Sequence, residues 1–134
     1  MLAIADTGLL KAFLDRNDPY HRWAAEVFPR HAPWITCEPV LTEAAHLSGA
    51  PGKIMQLILR GDLRVRFVVE SEAERLLKLL QKYQDRKMDL ADACLVRMTE
   101  TEQDAVVFTI DHGDFTVYRK LGSETVPCIF PTEV

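Results

Sequence analysis

Two apolar runs of the 134-residue chain end in the same way. Ala3-Ile4-Ala5 runs into Asp6, and Val107-Phe108-Thr109-Ile110 runs into Asp111. In open α/β sheets, ligands bind outside the carboxyl ends of the strands, where the strand order reverses. If the first strand is central and the second its neighbour, Asp6 and Asp111 share that crevice. Each acid taken alone also reads as a helix cap or the start of a turn. In Met88-Asp89-Leu90-Ala91-Asp92-Ala93 two acids stand three apart, on one face of a helix start. The same spacing makes a capping pair, as it does for Ser71 and Glu74, which carry no other hint of chemistry. Small residues behind Asp92, Ala93-Cys94, suit close packing on a sheet and would turn its carboxylate toward the strand ends. Glu43 has apolar and small neighbours, and a helix face with Val40, Ala44 and Leu47 toward the core leaves it at the buried margin. Glu38, a first-turn residue, and Asp114, in Asp111-His112-Gly113-Asp114-Phe115, complete the acids of note.

The elements that must position these acids follow from apolar spacing. Met1–Ala5 is too short for a helix and reads as a buried strand. Thr7–Asp15 has Leu9, Leu10, Phe13 and Leu14 at helical spacing, with Asp6 or Thr7 as N-cap. Asp18-Pro19 opens a second helix to about Arg30, with Trp23, Val27 and Phe28 inside, and Pro33–Thr36 is a short strand. A helix starts at Glu38-Pro39 and stops at Ser48-Gly49; another runs from Pro51 to Arg60. Leu63–Val69 reads as a strand near a sheet edge. Ser71 to Glu74 is a capping box opening a helix to about Tyr83, with Leu76, Leu77, Leu79 and Leu80 inside. Met88 to Thr101 is a helix entered through Asp89, and Ala105–Ile110 is the strongest strand. A short helix or turn flanked by Gly113 and Gly122, then a strand at Thr125–Phe130, close the chain. Strands alternating with helices predict a three-layer α/β domain with a parallel sheet, spanning residues 1–134 as one unit.

Composition narrows the function classes. Sixteen Lys and Arg against twenty Asp and Glu give −4, which excludes a polybasic nucleic-acid binder but not a nuclease whose acids hold metal. No apolar run approaches the roughly 20 residues of a membrane helix, and Asp6 and Lys11 interrupt the first one, so no signal peptide is read. Cys37, Cys94 and Cys128 are scattered and odd in number, which argues against a disulfide framework or zinc site and for a reducing cytosol. His21, His31, His46 and His112 are scattered too, and only His112 stands near the acids. Trp23 and Trp34 read as anchors of the helices around the second strand, with base stacking the alternative.

Together these residues resemble the PIN domain, and within it the VapC-type toxins of toxin–antitoxin pairs. The resemblance rests on Ala5-Asp6-Thr7-Gly8, Thr42-Glu43-Ala44, Met88-Asp89-Leu90-Ala91-Asp92-Ala93, and Phe108-Thr109-Ile110-Asp111-His112-Gly113-Asp114-Phe115, in the family's order over essentially the whole chain. It implies a sheet of about five parallel strands, an acidic site at its carboxyl edge, Mg²⁺ or Mn²⁺ dependence, and RNA cleavage. It assigns metal-site and catalytic acids to Asp6, Glu43, Asp92 and Asp111, with Asp89 and Asp114 as auxiliary acids and Thr7 and Thr109 as hydroxyls beside them. Many relatives have Ser where this chain has Gly8. The family also implies a cytoplasmic protein, a cognate antitoxin as partner, and a homodimer with its interface near Leu41–Leu59.

The physics of charge agrees with a metal. At about 5 Å and an effective dielectric near 20, two like charges repel by roughly 3 kcal/mol, so four converging carboxylates need protons or cations to offset them. An all-oxygen donor set favours Mg²⁺ or Mn²⁺ over zinc. The expected reaction is in-line attack of an activated water on an RNA phosphodiester, leaving a 5′-phosphate and a 3′-hydroxyl. Lys11, Arg86 and Lys87 are the first candidates for gripping phosphate, while Arg64 and Arg66 read equally as edge protection. A dehalogenase-type phosphatase needs a second Asp where Gly8 stands, and a receiver domain needs an acidic pair and a Lys that this chain lacks. A catalytically silent binding module of the same fold, or a nuclease acting on another nucleic acid, are the competing readings.

Overall fold

Strand β1 (Leu2–Ala5) ends at Asp6, whose side chain turns the chain into a helix. Asp6 Oδ1 accepts the Thr7 backbone N–H at 2.6 Å and caps helix α1 (Thr7–Leu14). The computed structural model describes residues 1–132, so the last two positions of the expected domain span lie outside the described residues. Helix α2 (His21–His31) leads to β2 (Trp34–Thr36), and Pro39 in the first turn starts α3 (Glu38–Ser48). Gly49 ends α3 at φ +66°, a left-handed conformation open to glycine. Helix α4 (Pro51–Leu59), strand β3 (Leu63–Val65) and helix α5 (Ala73–Lys82) follow, and Asp89 caps α6 (Leu90–Thr101). Strand β4 (Ala105–Phe108) leads to the single turn α7 (His112–Phe115), a hairpin of β5 (Arg119–Lys120) and β6 (Glu124–Thr125), and β7 (Cys128–Ile129).

Five of these strands form one parallel sheet in the order β3-β2-β1-β4-β7, flanked by the helices. The α/β architecture expected from the sequence is the one found. β1 is central, the order reverses between β1 and β4, and Ala5 lies opposite Phe108. Asp6 and Thr109 therefore emerge side by side at the carboxyl edge. Beneath them Phe28, Trp34 and Phe108 pack as an aromatic cluster, with Phe28–Trp34 centroids 5.6 Å apart and Trp34–Phe108 4.7 Å apart edge-on. The wholly buried Trp34 also donates its indole N–H to the Phe28 carbonyl at 2.9 Å, so it is the anchor the sequence suggested.

Five local expectations need correction. Strand β4 stops at Phe108 rather than Ile110, and just beyond it the Thr109 hydroxyl turns to Asp6 and takes the Asp111 N–H. The edge strand covers only Leu63–Val65, because its ladder partner β2 has three residues and Cys37 already leads into α3. The chain then leaves the sheet, and Arg66 pairs with Glu102 at 3.3 Å. The Ser71/Glu74 capping box does not form: a 3-10 turn at Glu70–Glu72 takes up Ser71, and the helix starts at Ala73 without a side-chain cap. Glu72 instead accepts from Arg97 at 2.6 Å. Leu77 points to solvent while Leu76 and Leu79 are buried, since α5 packs on α6 with one stripe only. The last strand shrinks to Cys128–Ile129, and Thr125 belongs to an unforeseen hairpin whose turn holds Gly122 at φ +88°.

Candidate active site

Asp6, Glu43, Asp92 and Asp111 line one cleft of about 440 Å³, together with Thr7, Asp89 and Asp114. Each element delivers its acid for a local reason. Asp6 is both the end of β1 and the cap of α1, and it is only 7% exposed. Its Oδ2 accepts from the Thr109 hydroxyl at 2.5 Å, and that hydroxyl accepts from the Asp111 N–H at 3.0 Å. One buried threonine thus ties the acid after β1 to the backbone of the acid after β4. Thr7 works on the other side: its N–H holds Asp6, and its hydroxyl donates to Glu43 Oε1 at 2.9 Å. Glu43 is half-buried, as expected, but Leu47 is exposed at the cleft rather than turned to the core. Buried Val40 and Ala44, with the partly buried Leu41 and Ala45, seat α3 there.

Helix α6 brings the other two acids of the middle segment. Asp89 accepts the Asp92 N–H at 2.8 Å, so Asp89 is a helix cap that also borders the cleft. Asp92 takes no part in capping as an acceptor. Its Oδ2 accepts from the hydroxyl of Tyr118 at 2.8 Å. Tyr118 is wholly buried and packs edge-on against Phe115 and Tyr83, at 5.1 and 5.0 Å between centroids. Sequence reasoning passed over Tyr118, which stands in no periodic pattern and lies 26 positions from its partner. Asp111 caps α7 by accepting the Asp114 N–H at 3.0 Å. Capping and cleft lining are thus one arrangement at Asp6, Asp89 and Asp111, and the two readings of these acids do not compete.

Crowding of carboxylates away from water shows in their protonation. Burial, with Asp111 and Glu43 nearby, pushes the Asp6 carboxyl up to about 6 despite the bonds from Thr109 and Thr7. Burial and the neighbouring Asp89, Asp6 and Asp111 push Asp92 up to about 8, against the Tyr118 bond. Asp111 is raised as well, chiefly by desolvation. Oxygens of Asp92, Asp111 and Asp114 lie within 4.8 Å of one another, a spacing that one ion can bridge. An all-oxygen, electron-rich set of this kind fits a hard divalent cation. Asp114, expected to be auxiliary, stands with Asp92 and Asp111 in this group, while Asp6 and Glu43 face them as the pair joined through Thr7.

The PIN domain family matches residues 3–121, a span that contains every acid of the cleft. The chain belongs to the PIN domain family. It is also similar to Ribonuclease VapC26 of Mycobacterium tuberculosis, 25% identical over 126 residues, which is 89% of this chain and 93% of that one.

In this PIN domain the expected phosphate-gripping bases divide. Lys11 is held by Asp18 at 2.7 Å and Asp15 at 3.3 Å, and Arg86 by Asp114 at 3.0 Å. Lys87 is exposed, borders the cleft and makes no ion pair among the described residues. Gly8 is set by packing: a Cβ there would stand 2.6 Å from Ile110 Cγ1. The side chain of Ile110 fills the space a serine would need.

Proposed function

We propose that this PIN domain is a divalent-metal-dependent endoribonuclease and the toxin of a type II toxin–antitoxin pair. The convergence of Asp6, Glu43, Asp92 and Asp111 in one cleft, from four separate elements, carries the reading. Asp92, Asp111 and Asp114 would hold a Mg²⁺ or Mn²⁺ ion, with Asp6 and Glu43 as further oxygen ligands across the cleft. When bound, such an ion supplies Lewis-acid stabilisation of developing negative charge and makes water in the cleft more acidic. The chain's own part is orientation. Thr109 and Thr7 fix both oxygens of Asp6, Tyr118 fixes one oxygen of Asp92, and Lys87 offers a free ammonium at the rim for an RNA phosphate. Water attacks phosphorus in line and the bond to the 3′ oxygen breaks, leaving a 5′-phosphate and a 3′-hydroxyl. No side chain need become covalently attached.

The 25% identity to a ribonuclease along nearly the whole chain supports RNA as substrate, and the VapC-type reading adds a cytoplasmic protein held by a cognate antitoxin. Met55 and Leu59 are exposed one turn apart on α4, which supports a homodimer through that face. Among the described residues no helix is long and apolar enough to cross a membrane. The test is cleavage of labelled RNA by the purified protein. Activity should need Mg²⁺ or Mn²⁺, stop with EDTA, and fall roughly a hundredfold or more in the Asp6→Asn, Asp92→Asn double variant. Cleavage that survives both substitutions would overturn the reading. Expression of the chain should arrest growth unless its antitoxin is supplied.

A further inference from the structure

A second cavity, of about 350 Å³, adjoins the acidic cleft and has no part in the reaction above. Its walls are Trp23 from α2, His112 from α7 and Phe130 after β7, with Arg22 at the rim. Ile110 borders both cavities. The next two residues divide between them, Asp111 lining the acidic cleft and His112 the aromatic pocket, from Cα atoms about 3.8 Å apart. The pocket therefore lies one residue from the acids that would handle the phosphate.

Its chemistry suits a flat, aromatic guest. The His112 and Phe130 rings lie 4.5 Å apart, tilted by 52°, and form one wall. Trp23 is half-buried and borders the open space, in contrast to Trp34, which is sealed in the core. Arg22 is exposed and makes no ion pair among the described residues, while Glu26 on the same rim is engaged by Arg30 at 3.1 Å. Rings with a free guanidinium beside them are what single-stranded nucleic acid binds: every base offers a π face, and each phosphate offers a charge. A peptide side chain fits the apolar part, but continuity with the acidic cleft and a guanidinium that has no ion pair among the described residues favour a nucleotide.

We infer that this pocket is a nucleobase subsite, which takes by stacking the base of a nucleotide flanking the scissile phosphate and holds an adjoining phosphate with Arg22. The inference rests on the nuclease reading above and adds the residues that position the RNA strand. Trp23, Phe130 and His112 are then determinants of substrate binding rather than catalytic residues.

The test compares wild type with Trp23→Leu, Trp23→Phe and Arg22→Ala on a mixed-sequence RNA oligonucleotide in Mg²⁺. Trp23→Leu should raise KM about tenfold with kcat within about twofold, and Trp23→Phe should restore most of the loss. Arg22→Ala, at an exposed position, should raise KM a few-fold and flatten the salt dependence by about one unit of slope. In parallel, an RNA decamer added with Ca²⁺ in place of Mg²⁺ should quench tryptophan emission in wild type and not in Trp23→Phe, because Trp34 is shielded. This quenching, with Arg22→Ala, decides the matter even if Trp23→Leu fails to fold. Unchanged KM and salt dependence in all folded variants, with no quenching, removes the base subsite while cleavage itself persists. The same unchanged RNA kinetics accompanied by weakened binding of a protein inhibitor also overturns it, in favour of a peptide guest. Cleavage that survives the Asp6→Asn, Asp92→Asn double substitution strikes the nuclease reading instead.

Discussion

At the scale of single residues, Thr109 uses one hydroxyl twice. It donates to Asp6 Oδ2 and accepts from the Asp111 N–H, so one side chain links the two acids that follow β1 and β4. Thr109→Val keeps the shape and removes both bonds, leaving a buried carboxylate oxygen and a part-buried N–H short of a partner. The expected cost is about 1–3 kcal/mol in urea unfolding, with Thr109→Ser close to wild type. The Asp6 carboxyl should also titrate higher in Thr109→Val, since the lost bond is one that lowers it; NMR of the carboxyl carbon reads this directly. A valine variant with unchanged stability and unchanged Asp6 titration would show that the hydroxyl is incidental. Tyr118 does the equivalent for Asp92 from a position no local pattern marks.

Among the elements, α6 is fixed at both ends. Its first turn carries Asp92 into the cleft, and near its last turn Glu100 is buried with a side-chain exposure of 0%. Burial opposes the charge of Glu100, but Arg75, the Leu121 N–H and Arg97 outweigh it and hold the carboxyl below the usual carboxylate range. Arg75 binds it through two nitrogens at 2.9 and 2.6 Å, and the Leu121 N–H reaches it from the β5–β6 hairpin at 2.6 Å. α5, α6 and the hairpin that follows Tyr118 thus meet at one carboxylate. Glu100→Gln should destabilise the fold by roughly 3 kcal/mol in denaturant, because it leaves Arg75 and Arg97 facing a neutral group. A loss below about 1 kcal/mol would mean that packing of α5 on α6 suffices. The contrast with Ser71/Glu74, where the motif was visible and the cap absent, has a simple cause: Glu72 and the chain before it are committed to Arg97 and a 3-10 turn.

For the molecule as a whole, the acidic cleft sets how stability follows pH. Asp6 near 6, Asp92 near 8 and the raised Asp111 keep protons in the folded state that an unfolded chain, with carboxyls near 3.8, has already released. Their contribution to stability is full below about pH 4 and is lost as pH rises through about 6 and then about 8. Groups held low, such as Glu100 and Asp15, act in the opposite sense and lose their contribution as pH falls. Without divalent ions the melting temperature should therefore be higher near pH 5.5 than near pH 8.5. Asp92→Asn should flatten that decline. At a fixed concentration Mg²⁺ should raise the melting temperature more at the higher pH, where it need not displace protons; a hundredfold excess over its Kd stabilises the fold by about 2.7 kcal/mol. An equal effect of Mg²⁺ at both pH values would count against ion binding by these carboxylates.

Much of this protein is local, and local features are legible in a sequence. The strand that ends at Asp6, the strand run that leads to Asp111, the caps at Asp6 and Asp89 and the glycine stop at Gly49 follow from runs, spacings and turn residues within a few positions of each other, whereas the central place of β1 rests on pairing with strands far along the chain. The length of β3 was not legible, because an edge strand lasts no longer than its partner, and that of β7 was not, because only the last two residues of β4 pair with it. The sequence alone determined which acids the strand and helix ends would carry. Tertiary structure alone decided that Asp114 stands with Asp92 and Asp111, that Arg86 is bound to Asp114 while Lys87 has no ion pair among the described residues, and that Tyr118 holds Asp92. The reason is physical: a hydrogen bond or ion pair depends on positions to within an ångström, and Tyr118 and Asp92, Thr7 and Glu43, and Thr109 and Asp6 are separated by 26, 36 and 103 positions along the chain, distances over which periodicity carries no information.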